Sequence, residues 1–328
     1  MHFSIIAVIA TSVLLLSSCT EVLETEKSYG EGNASYLIPI TKKEDFSDKQ
    51  IKDLETLGYR LIKAGEFEMG SPLSEPGRAP IEKTNDVTLD LNNEKIITTK
   101  ITNDFFMGKF EVSNAEWALV WKTSKKIPPS LPVVEVSHTR AMSYCKELTI
   151  LLKIMNVLPK ELVCRLPTEA EWEYVCRAGN TGVHGFKMND ADQAKFKNVL
   201  STDDANMAKP SGSNRENNLY GNDPSKYSYK LFSMNRWGIY HMHGNVREWC
   251  YDYFTKRYSK VDGEEEDEDE EEYLFDPVGN LNGKHRVLRG GSYRSFWTQC
   301  RAAARDSAVP YEMMDDIGFR VVIGYPIR

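Results

Sequence analysis

The chain is 328 residues long, 41% hydrophobic and 27% charged, with a formal net charge of −7. Ten of its 48 acids fall in one run from Asp262 to Glu272, and setting those aside leaves 38 acids against 41 lysines and arginines. The body is therefore close to neutral, which excludes nucleic-acid binding driven by a basic surface.

Met1 to Ser18 contains no Asp, Glu, Lys or Arg and is largely apolar from Ile5 to Leu16. About twelve apolar residues are too few to span a bilayer and fit the core of a signal peptide. Leu16-Ser17-Ser18-Cys19 resembles a bacterial lipobox, which implies cleavage before Cys19 and lipidation of its sulfur. The expectation is a lipid-anchored protein of the bacterial cell envelope, on its periplasmic or surface face, with the membrane touched only through the anchor. Five cysteines remain, Cys145, Cys164, Cys176, Cys250 and Cys300. An odd number in an oxidising compartment predicts at least one unpaired thiol or an intermolecular bridge.

Residues 19–50 read as a polar tether, and one folded domain is expected over 51–328. Arg60 to Ser71 reads as a strand, a glycine turn and a second strand, and Phe105 to Val112 as a further strand. Ser113-Asn114-Ala115-Glu116 is a capping box that predicts a helix running to about Lys122. Ser137 can cap a longer helix, because Ala141, Cys145, Leu148 and Leu152 recur at the spacing of one buried face. Thr168 and Glu171 form another capping box, and Gly179 stops the helix they open. Residues 180–235 are polar and aperiodic, and predict a loop system. The acidic run at 262–272 has no apolar residue and reads as a solvated insertion in a surface loop.

Seven blocks carry a resemblance: F-E-M-G-S-P (67–72), G-K-F-E-V-S-N-A-E-W (108–117), P-V-V-E-V-S (132–137), R-L-P-T-E-A-E-W-E-Y (165–174), G-N-V-R-E-W (244–249), R-V-L-R-G-G-S (286–292) and I-G-F-R-V-V (317–322). In this order they resemble the sulfatase-modifying-factor, or formylglycine-generating-enzyme, domain over roughly residues 58–325. The resemblance implies a single α+β domain of low regular secondary structure, related to the C-type-lectin fold.

It also implies calcium, a possible cofactor, held by the Gly244 and Val246 carbonyls and the Glu248 carboxylate. Three residues before the glycine, where relatives carry Asn or Asp, this chain has His241. A second implied calcium site falls on Asn206 and Met207, with Asn222 or Asp223 completing it. The alternative for Glu248 is pairing with an arginine, the usual fate of a buried carboxylate. His184, His241 and His243 make only a weak transition-metal motif.

The family's oxidases bind copper(I) through Cys-x4-Cys in the segment after G-G-S, because two exposed thiolates suit that soft ion. Here Gly290 to Arg305 holds Cys300 alone. Tyr293, Phe296 and Trp297 place aromatic faces on the turn that should floor the family's pocket, and Arg301 is the accompanying guanidinium. Arg289, Arg301, Arg305 and Arg320 are expected to converge and brace loops. The preferred reading is a binding or maturation-accessory lipoprotein whose partner is an exported protein, peptide or glycan. The alternative is a copper- and oxygen-dependent oxidase that makes formylglycine on a sulfatase, with Cys300 catalytic and Cys250 its partner.

Overall fold

The computed structural model describes residues 46–78, 82–84, 87–89, 94–121, 128–185, 234–255, 273–279 and 282–327; of 82–84, 87–89 and Trp297 it describes the backbone alone. Cys19, Asn206, Met207, Asn222, Asp223 and the acidic run at 262–272 lie outside the described residues.

The first helix, α1 (Asp48–Thr56), begins inside the stretch expected to be tether. Ser47 caps it through a reciprocal box with Gln50, and Phe46 meets Phe106 edge-on at 4.7 Å. The remaining helices are α2 (Asn114–Val120), α3 (His138–Ile154) and α4 (Glu169–Arg177). Each starts at the cap its sequence carries: Ser113, Ser137 and Thr168. Helix α2 stops short of Lys122 because Trp121 is extended. Helix α3 buries Ala141, Cys145, Leu148 and Leu152, the face its spacing predicts, together with His138 and Tyr144.

Strands β1 (Tyr59–Ile62), β6 (Phe105–Gly108), β13 (Val322–Gly324) and β7 (Val163–Arg165) form one antiparallel sheet in that order. The chain's last strand thus lies between two early ones, with Val322 opposite both Met107 and Arg165. The strand expected to reach Val112 ends at Gly108. Beyond it the backbone turns to other partners, Lys109 N–H donating to Gly58 and Val112 N–H to Phe319.

A second sheet orders β11 (Arg305–Ala308), β10 (Arg286–Arg289), β8 (Arg247–Tyr253) and β12 (Ile317–Gly318). The expected strand pair at 60–71 exists as β1 and β2 (Gly65–Met69), but the two do not pair with each other. Strand β2 pairs instead with β5 (Ile97–Ile101), which pairs with β9 (Tyr273–Phe275). Strands β3 (Glu82–Thr84) and β4 (Val87–Leu89) form a separate ribbon. One apolar core gathers α3 with Trp249 and Phe319, and a second surrounds Trp172 with Met107, Met242 and Val322. The architecture is the expected α+β arrangement, with four helices and several small sheets among the described residues.

Candidate functional site

Strand β10 runs into Gly290 and Gly291, at φ 91° and 67°. Only glycine adopts such angles freely, and close packing gives a second reason for it. A Cβ on Gly290 would lie 3.1 Å from the Trp172 ring, and one on Gly291 would lie 2.6 Å from Cys300 Sγ.

The turn then closes on itself. Ser292 N–H donates to Ser295 Oγ at 2.9 Å, and Phe296 N–H donates to Gln299 Oε1 at 3.0 Å. Tyr293 N–H donates to the Asn245 carbonyl at 2.9 Å, joining the turn to the G-N-V-R-E-W loop. Phe296 is left 65% exposed and Tyr293 half-buried, while Trp297 opens a single 3-10 turn. The neighbouring loop, fixed by Arg294–Asp315 at 2.6 Å and Ser292–Asp316 at 2.8 Å, exposes Tyr311 (75%), Met313 (55%) and Met314 (44%).

Beneath this turn the thiol of Cys300 is wholly buried, and burial pushes it up to about 12. Its carbonyl lies 2.8 Å from His243 Nδ1, while His243 Nε2 accepts from Gly185 N–H at 2.9 Å. Those two bonds fix the neutral Nδ1–H tautomer, and burial agrees by lowering His243 to about 4. Cys176 Sγ lies 3.6 Å from the same ring, and His184 meets it edge-on at 5.1 Å. Because Gly185 N–H occupies the Nε2 lone pair, this cluster is a structural joint. All five thiols named from the sequence are unpaired and buried.

The four arginines are braces. Arg289 binds Glu173 and the Ala302 and Ala304 carbonyls, and Arg305 grips Glu169 through two bonds of 2.7 and 2.8 Å. Arg301, expected beside the aromatic turn as a ligand-binding group, instead points inward at 1% exposure. Its Nη1 reaches Glu75 at 2.6 Å, both Nη atoms reach Glu94 at 2.8 Å, and Nε donates to the Thr298 carbonyl. A buried guanidinium needs such compensation, so Phe296 rather than Arg301 faces outward.

Of the two alternatives open for Glu248, the structure supplies the arginine. Arg320 Nε and Nη2 each lie 2.6 Å from its carboxylate, and the Trp172 indole donates to it at 3.0 Å. Nearby, His241 Nδ1 lies 2.9 Å from Glu111 Oε2, and Asn245 Nδ2 donates to Glu111 Oε1 at 2.7 Å. Burial pushes the Glu111 carboxyl up, but the imidazole of His241 and the Arg320 charge outweigh it and hold it at about 2. Gly244 and Asn245 take φ of 137° and 69°, and Val246 is buried. Among the described residues no three His, Cys, Asp or Glu side chains come together as a metal cluster. Asp252 accepts from the Glu169 and Gly279 N–H groups, and burial with the adjacent Glu169 charge raises it to about 7.

Glu75, Glu94 and the Glu111–His241–Asn245 group are the partners that sequence reading missed. Glu111 sits within a recognised block, and only the fold shows what it meets.

The sequence profile of the sulfatase-modifying factor enzyme 1-like domain matches residues 45–325. The chain belongs to that family. Within the sulfatase-modifying-factor family it is 32% identical to the mouse formylglycine-generating enzyme over 192 residues, 58% of this chain and 43% of the mouse protein. It is 24% identical to the serine/threonine-protein kinase pkn1 of Chlamydia caviae over 330 residues, 94% of this chain and 45% of that protein. The chain thus spans less than half the length of either curated relative. Among solved structures, PvdO from Pseudomonas aeruginosa shares the fold, with a TM-score of 0.54 and 21% identity over 81% of this chain and 93% of PvdO.

Proposed function

We propose that this protein is an envelope-anchored lipoprotein, tethered through a lipid on Cys19, that binds an apolar peptide segment of an exported partner without copper-dependent oxidation. One observation carries the reading: the exposed Phe296 stands four residues before a thiol that is wholly buried. Copper(I) chemistry needs a close, accessible pair of thiolates. Cys300 is the sole cysteine from Gly290 to Arg305, and burial raises both its thiol and that of Cys250, the partner required by the oxidase alternative.

The outward face favours a peptide over an anionic ligand. Arg294 is paired with Asp315, and Arg247 with Asp306 and Asp316, so both guanidiniums around Tyr293, Phe296, Met313 and Met314 are already met by carboxylates. Methionines adapt to varied apolar shapes, and aromatic anchors supply contact area at low entropic loss.

A photo-crosslinking residue at position 296 tests the binding. Adducts to an exported polypeptide are expected, with a yield reduced roughly fivefold by Met313→Asp; undiminished crosslinking in that variant would place binding elsewhere. Copper tests the chemistry. A copper(I) site lost on Cys300→Ser, accompanied by formylglycine formation in a sulfatase peptide, would replace this reading with the oxidase.

A further inference from the structure

The family resemblance implies calcium at the loop from Tyr240 to Trp249, so the residues present there can be tested for their fit to it. A hard divalent cation takes six to eight oxygens and depends on a carboxylate with lone pairs to give. Glu248 has little to offer. Both its oxygens lie 2.6 Å from guanidinium nitrogens of Arg320, and Oε2 also accepts the Trp172 indole N–H.

Arg320 cannot readily step aside. It is fully buried, and two further N–H groups go to the Gly108 and Tyr240 carbonyls at 3.1 and 2.9 Å. Moving it would strand a buried positive charge, and leaving it would set that charge against the incoming ion in a weakly screened interior. The Tyr240 carbonyl, an oxygen of the same loop, is engaged as well.

Position 241 points the same way. Relatives supply an oxygen ligand there, whereas His241 presents a ring whose Nδ1 is bonded to Glu111 and whose Nε2 is buried with no hydrogen-bond partner. A single nitrogen is a poor donor to a hard ion. The other Glu111 oxygen takes the Asn245 amide, which holds a residue at φ 69°. Both carboxylates around the loop are therefore bonded to groups of the protein itself.

We infer that this loop is locked by the chain's own Arg320–Glu248 and His241–Glu111 pairs in place of a bound divalent cation, so that its structure is independent of calcium. The inference concerns the scaffold and stands apart from the aromatic binding face.

Hydrogen–deuterium exchange of the full chain, read on peptides covering residues 240–249, tests it. Because the reading is local, calcium held elsewhere, for example at Asn206 and Met207, does not enter. Exchange in these peptides is expected to differ by less than about twofold between millimolar calcium and excess EGTA. Slowing by roughly tenfold or more with calcium overturns the inference. Arg320→Lys keeps the charge but loses the bidentate grip. It is expected to speed exchange in the same peptides by about tenfold in either buffer. Wild-type exchange rates in the variant would show that Arg320 is not the lock.

Discussion

Asp252 is a buried carboxylate whose partners are backbone N–H groups rather than an arginine, and burial beside Glu169 lifts it to about 7. A folded-state value above the unfolded one, ordinarily near 3.9, means that folding favours the protonated form. The resulting stability is fully present below about pH 4 and is lost as the pH rises through 7. At Asp252 this favours pH 5 over pH 8 by on the order of 2–4 kcal/mol, whereas the buried neutral imidazoles of His138 and His243, lowered by burial to about 3 and about 4, favour pH 8. Asp252→Asn should tilt the slope of melting temperature between pH 5 and pH 8 toward greater stability at pH 8 in scanning calorimetry, while lowering stability at acidic pH, since one backbone N–H loses its acceptor. An equal slope in the variant would assign the pH dependence to other groups. Gly291 makes a different claim at the same scale. Gly291→Ala must adopt φ 67° and bring a Cβ within 2.6 Å of Cys300 Sγ and 3.0 Å of the Gln299 carbonyl. A loss of roughly 2–4 kcal/mol in urea denaturation is expected. Adding Cys300→Ala should recover only part of it, because the backbone angle and the carbonyl contact remain.

Helix α4 shows what one element can and cannot disclose. Its start was legible because a capping box is a local device: Thr168 accepts from Glu171 N–H, and the Glu171 carboxylate returns to Thr168 N–H. The buried face of α3 was legible for the same reason, being written in consecutive turns. Three glutamates within five residues of α4 look like a solvated face, yet all nine residues of the helix are buried. Their partners explain the discrepancy. Glu171 meets Arg165 nearby, but Glu169 meets Arg305 136 positions away and Glu173 meets Arg289 116 positions away. Pairings at such separations leave no periodic trace, and the 226-residue span from Glu75 to Arg301 hid the inward turn of that arginine in the same way. Arg289→Met would leave Glu173 in the core with Arg177 and the Gly70 N–H, its Oε2 losing the guanidinium. Breaking such a pair should lower unfolding stability by about 3–5 kcal/mol. Lys49→Met, which removes an exposed pair with Asp53, should change it by less than about 0.5 kcal/mol. Similar losses from the two substitutions would mean that the buried network is not what holds α4.

At the scale of the whole molecule, the sheets join distant parts of the chain into one unit. Strand β13 runs beside both β6 and β7, β12 lies parallel to β8, and β9 lies parallel to β5. The seven sequence blocks announced one domain by their order, but not that the last strand would be interior to the first sheet. Single blocks do not show which strand is central, because a short apolar run such as Val321-Val322-Ile323 has the same pattern at an edge as in the middle. The consequence is a sharp dependence on the C-terminus. A chain ending at Val321 would leave β6 and β7 without the neighbour that pairs Val322 with Met107 and Arg165 and Ile323 with Phe106 and Cys164. It would also remove the Tyr325 carbonyl that accepts from Arg165 Nε at 2.9 Å. That truncation is expected to abolish cooperative unfolding, read by circular dichroism across a thermal scan. A chain ending at Pro326 keeps every one of these contacts and should melt within about two degrees of the full protein. If the shorter chain still melted cooperatively, the two halves of the first sheet would be stable without the strand between them, and the molecule would have to be treated as separable parts.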